Sequence, residues 1–244
     1  MNLMSIIVID DFISSFLINA TWGPHASAAL GNTLPPGRLQ HQPSISLLSP
    51  GDPDDDDDED DEDDIFHILD HKKHKKHKKH DKDKKKKHPP KATTPLNNIV
   101  IALTDPDAPS RDDPKWSEMA HWLAVGVSTN LSSTFSTSAS PFTSNRLTIQ
   151  TTDDNGNDKK QIVGLVDLLP YKPPGPPPKT GKHRYVFVAL SPLNGTSEPL
   201  SFDVPKERRH WGGEGERVGI RQWAAAHGLV PIGSNFVYAQ DHKQ

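Results

Sequence analysis

Cysteine is absent from all 244 residues. The chain can therefore form no disulfide framework, present no thiol nucleophile and bind no metal through thiolate. That pattern agrees with a reducing compartment. Long apolar runs are missing too, and none approaches the roughly eighteen residues that a membrane-crossing helix requires. The opening Met1–Ile9 is apolar but short. It has no basic lead and stops at Asp10-Asp11 without a small-residue cleavage site, so no secretion signal is expected. Sequons at Asn19, Asn130 and Asn194 are then fortuitous. A cytoplasmic protein without a transmembrane segment is the expectation.

Apolar residues are also scarce, at 33%, but the deficit is local. Residues 51–91 hold 15 of the 32 acidic side chains and 12 of the 28 basic ones, which leaves 17 acidic and 16 basic elsewhere. The remaining 203 residues are nearly neutral and long enough for one good core. Such a body gives no reason to expect specific nucleic-acid binding. Within the charged stretch, residues 54–64 are all Asp or Glu, and His71-Lys72-Lys73 recurs three times to Lys79 before further lysines to Lys87. Like charges at this density repel and bury nothing, so 51–91 reads as a disordered insertion at a loop tip. An inserted loop adds little closure cost, because the penalty grows only logarithmically with length. The histidine spacing could collect a transition metal, but the flanking lysines repel cations. The basic half could serve as a nuclear-localisation or polyanion patch, and the acidic half could meet a basic partner. A solvated insertion is the default. The domain expected is a single one, built from 1–50 and 92–244.

The rest of the chain reads as strands. Ser15–Trp22, Pro43–Leu47, Ile99–Leu103, Trp122–Val127, Arg146–Thr151, Gln161–Leu165, Tyr185–Leu190 and Leu229–Ala239 carry alternating, β-branched or aromatic composition between turn signals. Asp154-Asn155-Gly156-Asn157 marks a hairpin. Residues 128–145 are rich in Ser and Thr and read as a surface excursion. Val218–His227 reads as a helix with Gly228 just past its end. Gly212-Gly213-Glu214-Gly215 has neither the preceding strand nor the spacing of a dinucleotide fingerprint, and is a flexible loop. Many strands with one or two helices suit a sandwich core.

Two segments stand out chemically. Leu103-Thr104-Asp105-Pro106-Asp107-Ala108-Pro109-Ser110-Arg111 places two carboxylates between prolines where a strand ends. Proline fixes its own φ and keeps the preceding residue extended, so the loop is rigid. Asp-turn chemistry capping a strand would explain it without any function. His121 then opens the next strand, and Gly175-Pro176-Pro177-Pro178-Lys179-Thr180-Gly181-Lys182-His183-Arg184-Tyr185 delivers a second histidine into another. Together these segments resemble the phosphatidylethanolamine-binding protein family, with its Raf-kinase-inhibitor-like and carboxypeptidase-Y-inhibitor-like members. The family signatures are an Asp-Pro-Asp-x-Pro loop followed by a histidine before a strand, and a Gly-Pro-Pro loop running into Gly-x-His-Arg-Tyr.

The resemblance implies a mainly β fold: an antiparallel β-sandwich with a peripheral helix and a small anion pocket at one end. It implies that Asp105, Asp107, His121 and His183 line the pocket. Pro109, Gly175, Pro177 and Tyr185 would shape its walls, and Phe236 would close it. A carboxylate beside an imidazole is expected to raise the histidine pKa, so that the charged ring donates to an oxyanion. The second acid would accept from an ethanolamine ammonium. No cofactor and no metal are implied. The expected function is a non-enzymatic protein that binds phosphate or a phosphatidylethanolamine head group and regulates a protein partner. That partner would be a serine carboxypeptidase or, alternatively, a signalling kinase. An Asp/His hydrolase is the competing class, but Ser110 has no base directed at it and no metal triad is present.

Overall fold

A computed structural model of the chain describes residues 14–49, 98–127, 146–152, 158–196, 200–215 and 218–243. These belong to one compact unit drawn from Met1–Pro50 and Thr94–Gln244. The charged insertion read at 51–91, the excursion at 128–145 and the turn at 154–157 lie outside the described residues. Among the described residues the strands are β1 (Phe16–Thr21), β2 (Asn32–Thr33), β3 (Ser44–Leu48), β4 (Val100–Asp105), β5 (Met119–Val127), β6 (Arg146–Thr152), β7 (Asp158–Leu169), β8 (His183–Pro192) and β9 (Leu229–Ala239). One α-helix, α1, spans Ile220–Ala226. No helix there is long and apolar enough to cross a membrane.

The mainly β character holds, but the antiparallel sandwich does not. The strands form one hydrogen-bonded series, β1-β3-β6-β7-β5-β4-β8-β9, and β9 pairs back onto β1, so eight strands close into a barrel. The short β2 adds to the outside of β9. Nor is the sheet purely antiparallel: β1–β9, β3–β6 and β2–β9 run parallel. Period-two alternation is common to sandwiches and barrels, because both bury one face of each strand. Closure depends instead on whether the first and last strands meet.

They meet through a narrow contact. Phe16 pairs with Gly233 and Leu17 with Ser234, and Ser15 N donates to the Ile232 carbonyl at 2.9 Å. A Cβ on Gly233 would lie 2.6 Å from the Phe16 carbonyl oxygen, so the approach requires glycine. Beyond those pairs the side chain of Asn235 continues the seam. Its Nδ2 donates to the carbonyls of Ile18 (2.7 Å) and Ala28 (3.1 Å), and its Oδ1 accepts from Leu30 N (2.9 Å).

Alternation then divides the core. Ile18, Ile45, Leu47, Ile101, Leu103, Trp122, Leu147, Phe187 and Val237 fill the barrel interior. Val100, Ala102, Leu123, Val188 and Leu190 point outward, where Trp211, Ile220 and Trp223 cover them. This second layer explains why all six residues of β4 are buried. At seven residues, α1 is too short to persist alone. Docking holds it, and burying Ile220 contributes about 1.5–3 kcal/mol. The helix ends as read, at Gly228 with φ +63°.

Candidate functional site

The interior alternation of β4 runs Ile101, Leu103, Asp105, and that of β8 runs Phe187, Tyr185, His183. The pairing of Leu103 with Phe187 and Thr104 with Val186 sets Asp105 level with Tyr185. Three polar residues thus share the inner face at one end of the barrel. His121 joins them by a different device. Leu103 pairs with Trp122 but Thr104 pairs with Ala120, so His121 is the extra residue of a β-bulge. Strict alternation would turn His121 outward, because Trp122 already points in. The bulge re-aims it, and its ring meets Tyr185 edge-on at a centroid distance of 5.1 Å.

Hydrogen bonds order the cluster. Asp105 Oδ2 lies 3.0 Å from His183 Nδ1, and Asp105 Oδ1 accepts from Asp107 N at 2.8 Å. Thr180 Oγ1 lies 2.7 Å from the Pro177 carbonyl and 2.9 Å from His183 Nε2. Both ring nitrogens of His183 are therefore engaged. Tyr185 stacks on His183 at 6.4 Å. Burial, then the charge of Asp105, drives the Tyr185 hydroxyl far above its ordinary pKa, and it stays a neutral donor. His121 Nδ1 donates to the Lys172 carbonyl (2.8 Å), while Lys172 N donates back to the His121 carbonyl (2.7 Å). Arg208 braces the same place, with Nη1 on the Ala120 and His121 carbonyls and Nη2 on that of Pro170.

The expected rise in histidine pKa fails at His121. Burial lowers it to about 4, outweighing the upward pull of Asp105 and of the Lys172 hydrogen bond, and Lys172 and Arg208 add to the lowering. The ring is neutral at pH 7. Its Nδ1 carries the proton, and its Nε2 finds no hydrogen-bond partner among the described residues.

The remaining expected pocket residues are placed differently. Asp107 is fully buried but faces Arg184, which donates from its backbone N (2.8 Å) and Nε (2.9 Å) to Oδ2 and from Nη2 (2.6 Å) to Oδ1. Burial pushes its carboxyl up, but Arg184, aided by Arg111 at 3.6 Å, prevails and holds it below the ordinary value. With its oxygens committed to these cations, Asp107 is no free acceptor for an ammonium. Phe236 pairs with Val186 on the outer face, opposite to Tyr185, and its ring packs on Tyr238 and over Gly31. It does not close the cluster. Pro109 is half-buried, and Gly175 and Pro177 are exposed. They act through backbone groups: Gly175 N–H toward the Tyr185 hydroxyl, and the Pro177 carbonyl toward Thr180.

Reading the sequence missed a buried acid behind the site. Glu118 packs on the outer face, where its Oε2 accepts from Thr104 Oγ1 (3.0 Å) and Ile220 N (3.4 Å). Trp211 Nε1 in turn donates to Thr104 Oγ1 (3.0 Å). Burial raises the Glu118 carboxyl to about 7. The signal was local: an acid directly before an apolar strand, with Gly219 later in the chain to admit it. A Cβ on Gly219 would come within 2.3 Å of the Glu118 carboxyl carbon. Ser110 Oγ accepts from Asp113 N at 3.1 Å, which makes it a turn former on an exposed loop. Among the described residues no group of three His, Asp or Glu side chains could hold a metal ion. What the cluster offers is a rigid, desolvated pair of imidazoles, a carboxylate and a phenol, with one lone pair open.

The comparisons with known proteins agree with this arrangement. Residues 75–237 match the family model described as phosphatidylethanolamine-binding protein. The carboxypeptidase Y inhibitor of Saccharomyces cerevisiae is 33% identical over 143 residues, which is 58% of this chain and 59% of the inhibitor. The chain spans about three fifths of the length of the curated relatives it matches. In three dimensions it is similar to a crystal structure of carboxypeptidase Y inhibitor complexed with the cognate proteinase. That alignment has a TM-score of 0.59 and 22% identity, covering 96% of this chain and 88% of that one. It is also similar to phosphatidylethanolamine-binding protein from Plasmodium vivax, with a TM-score of 0.51 and 15% identity over 95% and 87% of the two chains. At these identities the likenesses establish the fold. With the fold, both signature loops and the family match in agreement, the chain belongs to the phosphatidylethanolamine-binding protein family.

Proposed function

We propose that this protein is a non-catalytic binding protein that inhibits a serine carboxypeptidase and holds a small oxyanion or phospholipid head group at Asp105, His121, His183 and Tyr185. The observation that carries the protease reading is the 33% identity to a carboxypeptidase Y inhibitor. The site itself supports binding over turnover. A histidine whose pKa is about 4 is a poor base near neutrality. His183 is engaged at both nitrogens, and the Ser110 hydroxyl faces its own turn. The rigid proline loops pre-organise the cluster, which lowers the ordering cost of binding. No observation favours a kinase target.

The test is a titration of the purified full chain into a serine carboxypeptidase cleaving a blocked dipeptide. Stoichiometric loss of peptidase activity is expected; full activity at a stoichiometric excess would overturn the protease reading. Native mass spectrometry of freshly isolated protein checks the second half, where a retained phosphate-bearing species is the expected result. Turnover of phosphate or ester substrates that disappears in His121→Ala would instead assign a hydrolase.

A further inference from the structure

We propose that an oxyanion enters this site together with one proton, which bridges a guest oxygen and His121 Nε2. The inference rests on the oxyanion reading above and adds its regulation by pH. Asp105 Oδ1 is filled by Asp107 N, its Oδ2 by His183 Nδ1, and the Tyr185 hydroxyl also directs its proton at that carboxylate. His183 Nε2 is held by Thr180. The reciprocal pair between His121 and Lys172 fixes the His121 tautomer, leaving a lone pair on Nε2. That lone pair is the open valence of the four residues.

An oxyanion brought to a lone pair is repelled unless a hydrogen lies between them. Before the guest arrives, the surroundings oppose charging the ring. The groups facing it are Asp105 from β4, Tyr185 with His183 behind it from β8, Lys172 from the proline loop and Arg208 from the segment before Trp211. Of these Asp105 and the Lys172 carbonyl favour imidazolium, and the Asp105 carboxylate is already shared with His183. A negative guest beside Nε2 reverses the balance, so guest and proton bind as a unit. A phosphomonoester can carry that proton itself, since its second pKa is about 6. A phosphodiester has none to bring, and the site must take one from solvent.

Dimethyl phosphate is therefore the informative probe, because any dependence on pH near neutrality reports the protein. With the full chain in a calorimeter, its Kd is expected to weaken about tenfold for each pH unit from 5.5 to 7.5, with one proton taken up per site. Paired buffers of different ionisation enthalpy count that proton. In His121→Gln the amide can donate without protonation, so binding is expected to lose its pH dependence. If that variant does not fold, the buffer pair on the unaltered chain still decides, as does the 15N shift of the His121 ring with and without probe. A second arm uses vesicles of phosphatidylglycerol, a lipid phosphodiester. The one-proton slope with vesicles alone assigns a lipid source, and the same slope with the soluble diester assigns a free phosphate. A Kd constant with pH and no proton uptake would overturn this inference and leave the oxyanion site standing. An unchanged slope in a folded His121→Gln would overturn the assignment to His121. No binding of either probe, or of inorganic phosphate, at any pH would remove both readings.

Discussion

Asp107 and Arg184 form the most tightly specified ion pair in the described structure, and replacing Asp107 by Asn isolates its contribution. Asp107 has no exposed side-chain surface, whereas the Arg184 side chain retains 19%. Three N–H groups of Arg184 converge on the one carboxylate at 2.6–2.9 Å. Removing one partner of a buried pair costs about 3–5 kcal/mol, mostly from the charge left behind. Asn keeps a single acceptor oxygen, and the partly exposed guanidinium can reach water, so the lower end applies: about 3 kcal/mol. For a domain of this size that corresponds to a fall in Tm of about 6–12 °C, measured by circular dichroism at pH 7. Combining Asp107→Asn with Arg184→Met is expected to cost clearly less than the sum of the single changes, because the second change removes the orphaned cation. The pair also sets a pH limb. The folded carboxyl sits below its ordinary value of 3.8, so its stabilisation is complete above that value and is lost as pH falls through the depressed one. Asp107→Asn should flatten this acid limb. A fall in Tm under about 2 °C, with additive double-variant behaviour, would refute the reasoning.

Glu118 has the opposite sign. Its folded pKa is raised from 4.5 to about 7, so the native state holds the proton longer. Stability should therefore decline by about 1.4 kcal/mol per unit as pH rises across that window. Urea titrations from pH 4.5 to 8 are expected to show this decline in the parent chain and lose it in Glu118→Gln. Gly219→Ala drives a methyl into the Glu118 carboxyl and should cost about 1–3 kcal/mol in the same titrations at pH 6. Gly233→Ala puts its methyl on the Phe16 carbonyl; faster amide exchange at Ser15 and Phe16, with β4 amides unaffected, is the expected signature of an opened seam.

The strands were legible because their cause is local. Ile101 and Leu103, or Tyr185 and Phe187, announce a buried face by spacing alone, and Gly228 announces a helix end by the left-handed turn it permits. Closure was not legible, since it turns on an approach between residues more than two hundred positions apart. Gly233 and Asn235 carry it, one by lacking a side chain and the other by bridging to Ile18 and Ala28. Within the sequence both look like ordinary turn residues beside an apolar strand. A sandwich and a barrel then share one hydropathy pattern, and only the seam tells them apart.

The site divides along the same line. Asp105, His121, His183 and Tyr185 converge, but the signature loops do not say how His121 reaches the others. It does so through one unpaired residue between Ala120 and Trp122, a ladder defect with no mark of its own in composition. Nor does residue type disclose charge. Three acids sit within fourteen positions of one another, Asp105, Asp107 and Glu118, and all are buried. Asp107 meets a guanidinium and is held ionised, Glu118 meets a hydroxyl and a peptide N–H and is pushed toward neutrality, and Asp105 binds a histidine. Burial acts on Asp107 and Glu118 in the same direction, so the partner decides each outcome. The partners come from Arg184, Thr104 with Ile220, and His183, which the chain brings together only once the barrel has closed. The acid that looks most available in the motif, Asp107, is consequently structural. Of the two histidines, His183 is engaged at both ring nitrogens and His121 through Nδ1.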